Sequence, residues 1–324
     1  MISQVFLRSI IASIVSTLFF IGVVSVPLTP LSFFYLGLTY GIRQATFGVI
    51  CFFLLTLALF GLPMALANLV LFSAPALWLT RLALLSRQTE PEESSPHEFF
   101  PASRLVLWTL GLSIALTIGL FGLFADHQGG LPYVLNSMLT QSPAMAEILG
   151  NIDILSVSDE ARLMLINTII ISTPASWLIS IIGSLLLAQK TSQNIGKSLR
   201  PAISLKTMHF GDWLTLCLLM SGAGAYFATG PWGIFFATMA ACFIIPYFLL
   251  GLAIIHAISW PRSGRMLILV SVYVMLLAYV WFVIPVAILG ILNPQFKILE
   301  KIEEKRDKRD NDNRRDPPNA PPEE

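Results

Sequence analysis

The chain has 324 residues, of which 55% are apolar and 12% charged, with a net charge of +1 and a mean hydropathy of +0.75. Soluble domains carry roughly a quarter of their residues as charges, so this composition excludes a chain with a water-facing surface and points to one solvated by lipid. It also excludes a nucleic-acid footprint, because 8 of the 20 basic residues lie between Lys297 and Glu324, interleaved with 9 of the 19 acidic ones instead of forming a basic face.

A membrane-spanning helix needs about 20 apolar residues to cross about 30 Å of hydrocarbon. The first such run extends from Ser9 to Val26 behind Arg8. It is longer than a signal-peptide core and ends in Pro27 and Pro30 without a small-residue cleavage site, so it reads as a retained first span. The next apolar piece, Leu31 to Tyr40, is short and bounded by Pro30 and Gly41. Spans over Gln44 to Leu62 and Met64 to Leu85 follow, joined by a tight Gly61-Leu62-Pro63 turn. The linker Ser86 to Ser103, with Pro91, Pro96 and Pro101, separates residues 1–103 from a second set of helices in 104–296. That set comprises Arg104 to Ala125, Arg162 to Ala188, Trp213 to Ala228, Ile234 to Ile258 and Met266 to Leu292. The fold expected is all-α, a polytopic transmembrane helix bundle of eight full spans plus one short or re-entrant helix.

Basic residues in short loops mark the cytoplasmic side. Arg43, Arg81 with Arg87, the loop bearing Lys190, Lys197, Arg200 and Lys206, and the Arg262/Arg265 turn define that side. The loop 126–160 has no Lys or Arg but carries Asp126, Glu147, Asp153, Asp159 and Glu160, so it belongs outside. The N-terminus is then cytoplasmic, in an inner membrane. Within the outer loop, Tyr133 to Leu139 and Met145 to Leu149 have the pattern of amphipathic surface pieces, a lid over an outward-facing cavity being the other reading. In the tail 297–324, Ile298, Leu299 and Ile302 extend the last helix, with Glu304 and Lys308 at a pairing distance of four residues. Beyond Arg309 the composition is that of a disordered segment. Nine simple crossings would export this tail, whereas a re-entrant Leu31 to Tyr40 or a last span broken near Pro285 returns it to the cytoplasm, the side favoured here.

No signature of a hydrolase, nucleotide-binding loop or zinc peptidase occurs, and Cys51, Cys217 and Cys242 have no second Cys or His at ligand spacing. No catalytic residue, cofactor or metal is expected. Polar groups at membrane depth are costly and default to functional or inter-helix roles. Arg43, Asn68, Asn167 and His256 are therefore the candidate pocket residues. Small residues four apart let helix backbones approach closely; Ala12 and Ser16, Gly224 and Ala228, and Ala237 and Ala241 fit, and the first pair is the candidate docking surface for a partner subunit, with internal packing the plainer meaning.

The stretches Val26-Pro27-Leu28-Thr29-Pro30, Tyr35-Leu-Gly-Leu-Thr-Tyr-Gly-Ile-Arg43 and Pro246-Tyr-Phe-Leu-Leu-Gly-Leu-Ala-Ile-Ile-His256, with Leu289-Gly-Ile-Leu-Asn before a charged tail, resemble the YybS-like family of uncharacterised bacterial membrane proteins. More distantly, the N-terminal stretch through Gly61-Leu62-Pro63 is similar to the S subunits of energy-coupling-factor vitamin transporters, notably the biotin type. That similarity implies a bundle that binds a small molecule and docks through its first helix, here Ala12 and Ser16, on a coupling subunit. The function expected is a small-molecule binding or transport subunit without catalysis of its own, with a pocket on the outer side between the N-terminal spans. The alternative is a scaffold that recruits a cytoplasmic protein through its charged tail.

Overall fold

Hydrocarbon offers no hydrogen-bond partner, so a lipid-solvated backbone must close its own bonds, and helices do so within one segment. A computed structural model describes residues 2–22, 25–88, 97–127, 129–141, 158–203, 208–259, 264–302 and 304, and these are helical apart from short turns, one loop and one small hairpin. Six helices are long and apolar enough to cross a membrane, over Gln4–Ile21, Ile42–Phe60, Leu62–Leu84, Ala102–Leu123, Asp159–Asn194 and Gly230–Ile258. This is the architecture of a multi-pass all-α membrane protein.

The chain packs as two units, Met1–Ser204 with Gly211–Phe243, and Leu205–Phe210 with Ile244–Glu324. The boundary expected at 103/104 therefore lies inside the first unit. The reason is local: β1 (Ser86–Gln88) pairs antiparallel with β2 (His97–Phe99), and the Phe100 amide donates to the Leu85 carbonyl at 3.0 Å. The linker closes on itself and returns the chain to where it left.

In the first unit, α1 (Ile2–Ile21) and α3 (Ile42–Phe60) run parallel, since Ser9 donates to the Gln44 carbonyl and Ser13, four residues on, to that of Gly48. The chain between them must come back. It does so through a 3₁₀ turn (Val26–Leu28) and α2 (Leu31–Tyr40), whose ten residues rise about 15 Å. Helix α2 is surrounded by protein, with Phe33, Phe34 and Leu38 fully buried against residues of α3, α5 (Ala74–Leu84) and α8 (Asp159–Asn194). Gly37 lets α5 approach; a Cβ there would lie 2.2 Å from the Thr80 methyl. Gly41, at φ 94°, ends α2 so sharply that α3 begins at the next residue.

The span expected over Met64 to Leu85 is not uniform. It comprises α4 (Leu62–Asn68), a π-helical turn (Leu69–Ser73) and α5. Pro75 has no amide hydrogen for the Leu71 carbonyl four residues earlier, and the Trp177 indole donates to that oxygen at 2.7 Å. Helix α6 (Ala102–Leu123) follows, then α7 (Gly130–Gln141), which covers Tyr133 to Leu139 and packs Leu131 against Ile166 and Ile170. Helix α8 is longer at both ends than Arg162 to Ala188. Ser158 caps it by accepting from the Ala161 amide, Asp159 and Glu160 favour its positive end, and nothing breaks it until Gly196 at φ 69°. Helices α9 (Asp212–Phe227) and α10 (Gly230–Ile258) come next, α9 being shorter than the six crossing helices.

In the second unit the last expected span is broken near Pro285, one of the alternatives the sequence leaves open. Instead of one helix over Met266 to Leu292 there are α11 (Arg265–Ala278) and α12 (Val283–Phe296), separated by an extended Tyr279 and a 3₁₀ turn, Val280–Phe282. Pro285 cannot serve the Trp281 carbonyl and is tolerated only in the first turn of a new helix. Among the described residues six helices are thus long and apolar enough to cross a membrane, and several apolar helices are shorter. Gly251 of α10 and Gly290 of α12 make a close crossing: a Cβ on the former would lie 1.8 Å from the Val286 carbonyl, and on the latter 2.0 Å from that of Tyr247. The final helix does not run on smoothly, because Lys297 turns left-handed at φ 49° and the Leu299 amide bonds Asn293 Oδ1. The Glu304–Lys308 pair, the tail after Arg309, and Met145 to Leu149 lie outside the described residues.

Candidate functional site

On α1, Arg8, Ile11, Ala12, Val15 and Phe19 recur every three or four residues and so share one helix face. On α2 the same spacing aligns Leu31, Ser32, Tyr35, Leu36 and Tyr40. These two stripes, with Ala188 and Thr191 of α8, enclose a groove of about 320 Å³. It is apolar along its length. Among the described residues its one charged group is the Arg8 guanidinium, which lies 4.2 Å from the centre of the Tyr40 ring, with Tyr35 edge-on to Tyr40 at 6.3 Å.

The wall formed by α2 starts in irregular backbone, and serine and threonine hydroxyls satisfy it. The Pro27 carbonyl accepts from Ser180 and, at 3.2 Å, from Ser184; Ser16 donates to the Thr29 carbonyl at 3.0 Å and meets the Ser32 hydroxyl; Ser25 donates to Phe19 and Gly22 carbonyls, each at 3.0 Å. Each such group left unpaired in an apolar setting costs roughly 1–3 kcal/mol, so these hydroxyls are what permit a broken helix here. Irregular backbone at membrane depth is tolerated where protein buries it or a cavity borders it, and both hold.

The other end of α2 is fixed by the loop 195–203. The Leu199 amide donates to the Leu38 carbonyl at 2.9 Å, Thr39 donates to Ser192 at 3.1 Å, and Arg200 Nη1 donates to the Ala83 carbonyl at 2.8 Å. Arg200 is buried, has no carboxylate partner among the described residues, and rests against the Phe99 ring. Burial pushes its pKa down from the ordinary arginine value, and the C-terminal carbonyls of α5 are the negative helix end that suits a cation. Through these contacts Arg8, Arg43, Arg81, Arg87, Lys190, Lys197 and Arg200 gather at one end of the first unit, while Asp126 follows the C-terminal end of α6 and Asp159 and Glu160 stand in the first turn of α8, at the far ends of those helices.

The residues expected as pocket-lining are elsewhere. Arg43 is exposed in the first turn of α3. Asn68 is buried where α4 meets the π turn, and among the described residues its Nδ2 has no partner; nor does the enclosed Oδ1 of Asn167 on α8. His256, in the second unit, hydrogen bonds Tyr273 of α11 at 3.0 Å, the inter-helix role its position allowed. None of the four lines the groove. Ala12 and Ser16 do belong to this region but face inward, 6% and 0% exposed, against Leu36 and Ala45 and against Thr29 and Ser32. Both are thus occupied by contacts within this chain. Gly224 likewise receives a ring of its own chain, that of Phe236. Sequence reasoning missed Arg8, Tyr35 and Tyr40, although the three-and-four spacing on α1 was there to read.

A second cavity, about 450 Å³, lies between α6, α7 and the start of α10, walled by Phe121, Phe124, Trp232 and Phe235 and without a Lys, Arg, Asp or Glu in its lining. Among the described residues no group of His, Cys, Asp and Glu could hold a metal. Comparison with protein families, with curated proteins and with solved structures found no match to this chain.

Proposed function

We propose that this chain is a small-molecule binding or transport subunit of an inner membrane, without catalytic activity of its own, and that its ligand binds in the groove between α1, α2 and α8. The observation that carries this reading is the helix break before α2, whose Pro27 and Thr29 carbonyls are satisfied by hydroxyls from two other helices, beside a cavity with a single charged group among the described residues. A bundle built only for packing gains nothing from such a break. The groove is bordered by the Pro27 to Gly41 region on which the N-terminal resemblance rests, although docking through Ala12 and Ser16 is not part of the proposal. Thermal-shift screening of the purified chain against vitamins and other metabolites tests it. A stabilising ligand whose effect disappears in Ile11→Trp, which fills the groove, is the expected result; ligands that act equally on that variant would remove the groove from consideration.

The gathering of basic residues at the end where α1 begins supports a cytoplasmic N-terminus. With Cys51, Cys217 and Cys242 replaced, Arg43→Cys should resist an impermeant thiol reagent added outside cells and Asp126→Cys should react. The reverse pattern would invert the orientation.

A further inference from the structure

We infer that the groove holds one phospholipid of the surrounding leaflet and selects it for an anionic headgroup. This rests on the reading of the groove as a binding site. Three observations carry it. First, among the described residues Arg8 has no carboxylate partner, whereas Arg162 pairs with Asp159 and Lys297 with Glu300. Its charge is held against the Tyr40 ring at one end of the groove, where a phosphate can accept two hydrogen bonds from the guanidinium fork. Second, everything beyond that end is apolar on the α1 side, through Ile11, Ala12, Val15 and Phe19. From Arg8 to Phe19 the helix rises about 16 Å, and one leaflet of hydrocarbon is about 15 Å deep. A headgroup at Arg8 thus places an acyl chain along the full track. Third, the groove is open at its side, Ile11 keeping 52% of its surface exposed, so a lipid can enter from the bilayer without crossing the protein.

The test is native mass spectrometry of the full chain released from nanodiscs containing equal phosphatidylglycerol and phosphatidylcholine with matched acyl chains. The wild type should retain one phosphatidylglycerol with a preference of about fivefold, the order of one basic residue's attraction for an anionic lipid. Arg8→Gln should bring the ratio to about one, Arg8→Lys should keep most of it, and Arg43→Gln, an exposed arginine at the same end, should leave it unchanged. Ile11→Trp should lose the retained lipid altogether. Equal retention of the two lipids by the wild type, or a preference that survives Arg8→Gln, would overturn the inference. So would saturable binding of soluble glycerol phosphate, which would mark a site for a free anion. In either case a metabolite whose thermal shift is abolished by Ile11→Trp would leave the binding-site reading standing. Loss of both results would end both.

Discussion

Ser16 shows how much a single hydroxyl does in this bundle. It donates to the Thr29 carbonyl and meets Ser32, at the point where α1 supports the start of α2. Ser16→Ala removes that donor while leaving the carbonyl enclosed, so it should cost about 1–2 kcal/mol, measured by denaturant unfolding of the purified chain. An unchanged midpoint would show that water or a neighbour replaces it. Asn68 is the opposite case. Its Nδ2 is buried without a partner, so Asn68→Leu should raise stability by about 1 kcal/mol; a loss instead would mean that the amide has a bound partner in the working protein. The rule that polar groups at depth are notable identified Asn68, Asn167 and His256 from the sequence. It passed over Ser16, Ser180 and Ser184, because a serine hydroxyl is small, common in membrane helices and informative only once the carbonyl it serves is known. Arg8 was missed for another reason: at a chain start it reads as a topogenic charge, and only the Tyr40 ring reveals a second use.

At the scale of elements, the π turn after Asn68 and the Trp177 bond form one unit of cause and compensation. Trp177→Phe should destabilise by about 1 kcal/mol, and less in a Pro75→Ala background, where an amide returns to serve the Leu71 oxygen. A double-mutant cycle with no coupling would separate the two. Most helices were legible from apolar length, since hydrocarbon imposes it. Their ends were not, as α8 shows: Lys190 to Asn194 are polar, yet no Gly or Pro stops the helix before Gly196. The break in the last apolar run was legible in Pro285, whereas the Gly251–Gly290 crossing required knowing which faces meet.

For the whole molecule, a multi-pass helical bundle followed from composition, whereas the packing of residues from both sides of the Ser86–Ser103 linker in one unit was not legible, because proline content says where a chain turns and not whether the pieces it joins pack together. The short α2 carries a further consequence. Neighbouring helices can meet a thicker lipid film by tilting less, but a segment running only from Val26 to Tyr40, about 21 Å if fully helical, has no reserve length. Elastic mismatch therefore concentrates where the groove opens to the lipid, on the side of α2 that bears Leu31, Tyr35 and Tyr40 and is not buried in protein. Reconstituted into lipids of increasing acyl length, the chain should lose stability by fractions of a kcal/mol per ångström of added thickness, and more steeply in Ser184→Ala, where the Pro27 carbonyl has lost a donor. A stability independent of lipid length would show that the film itself thins around α2 without cost.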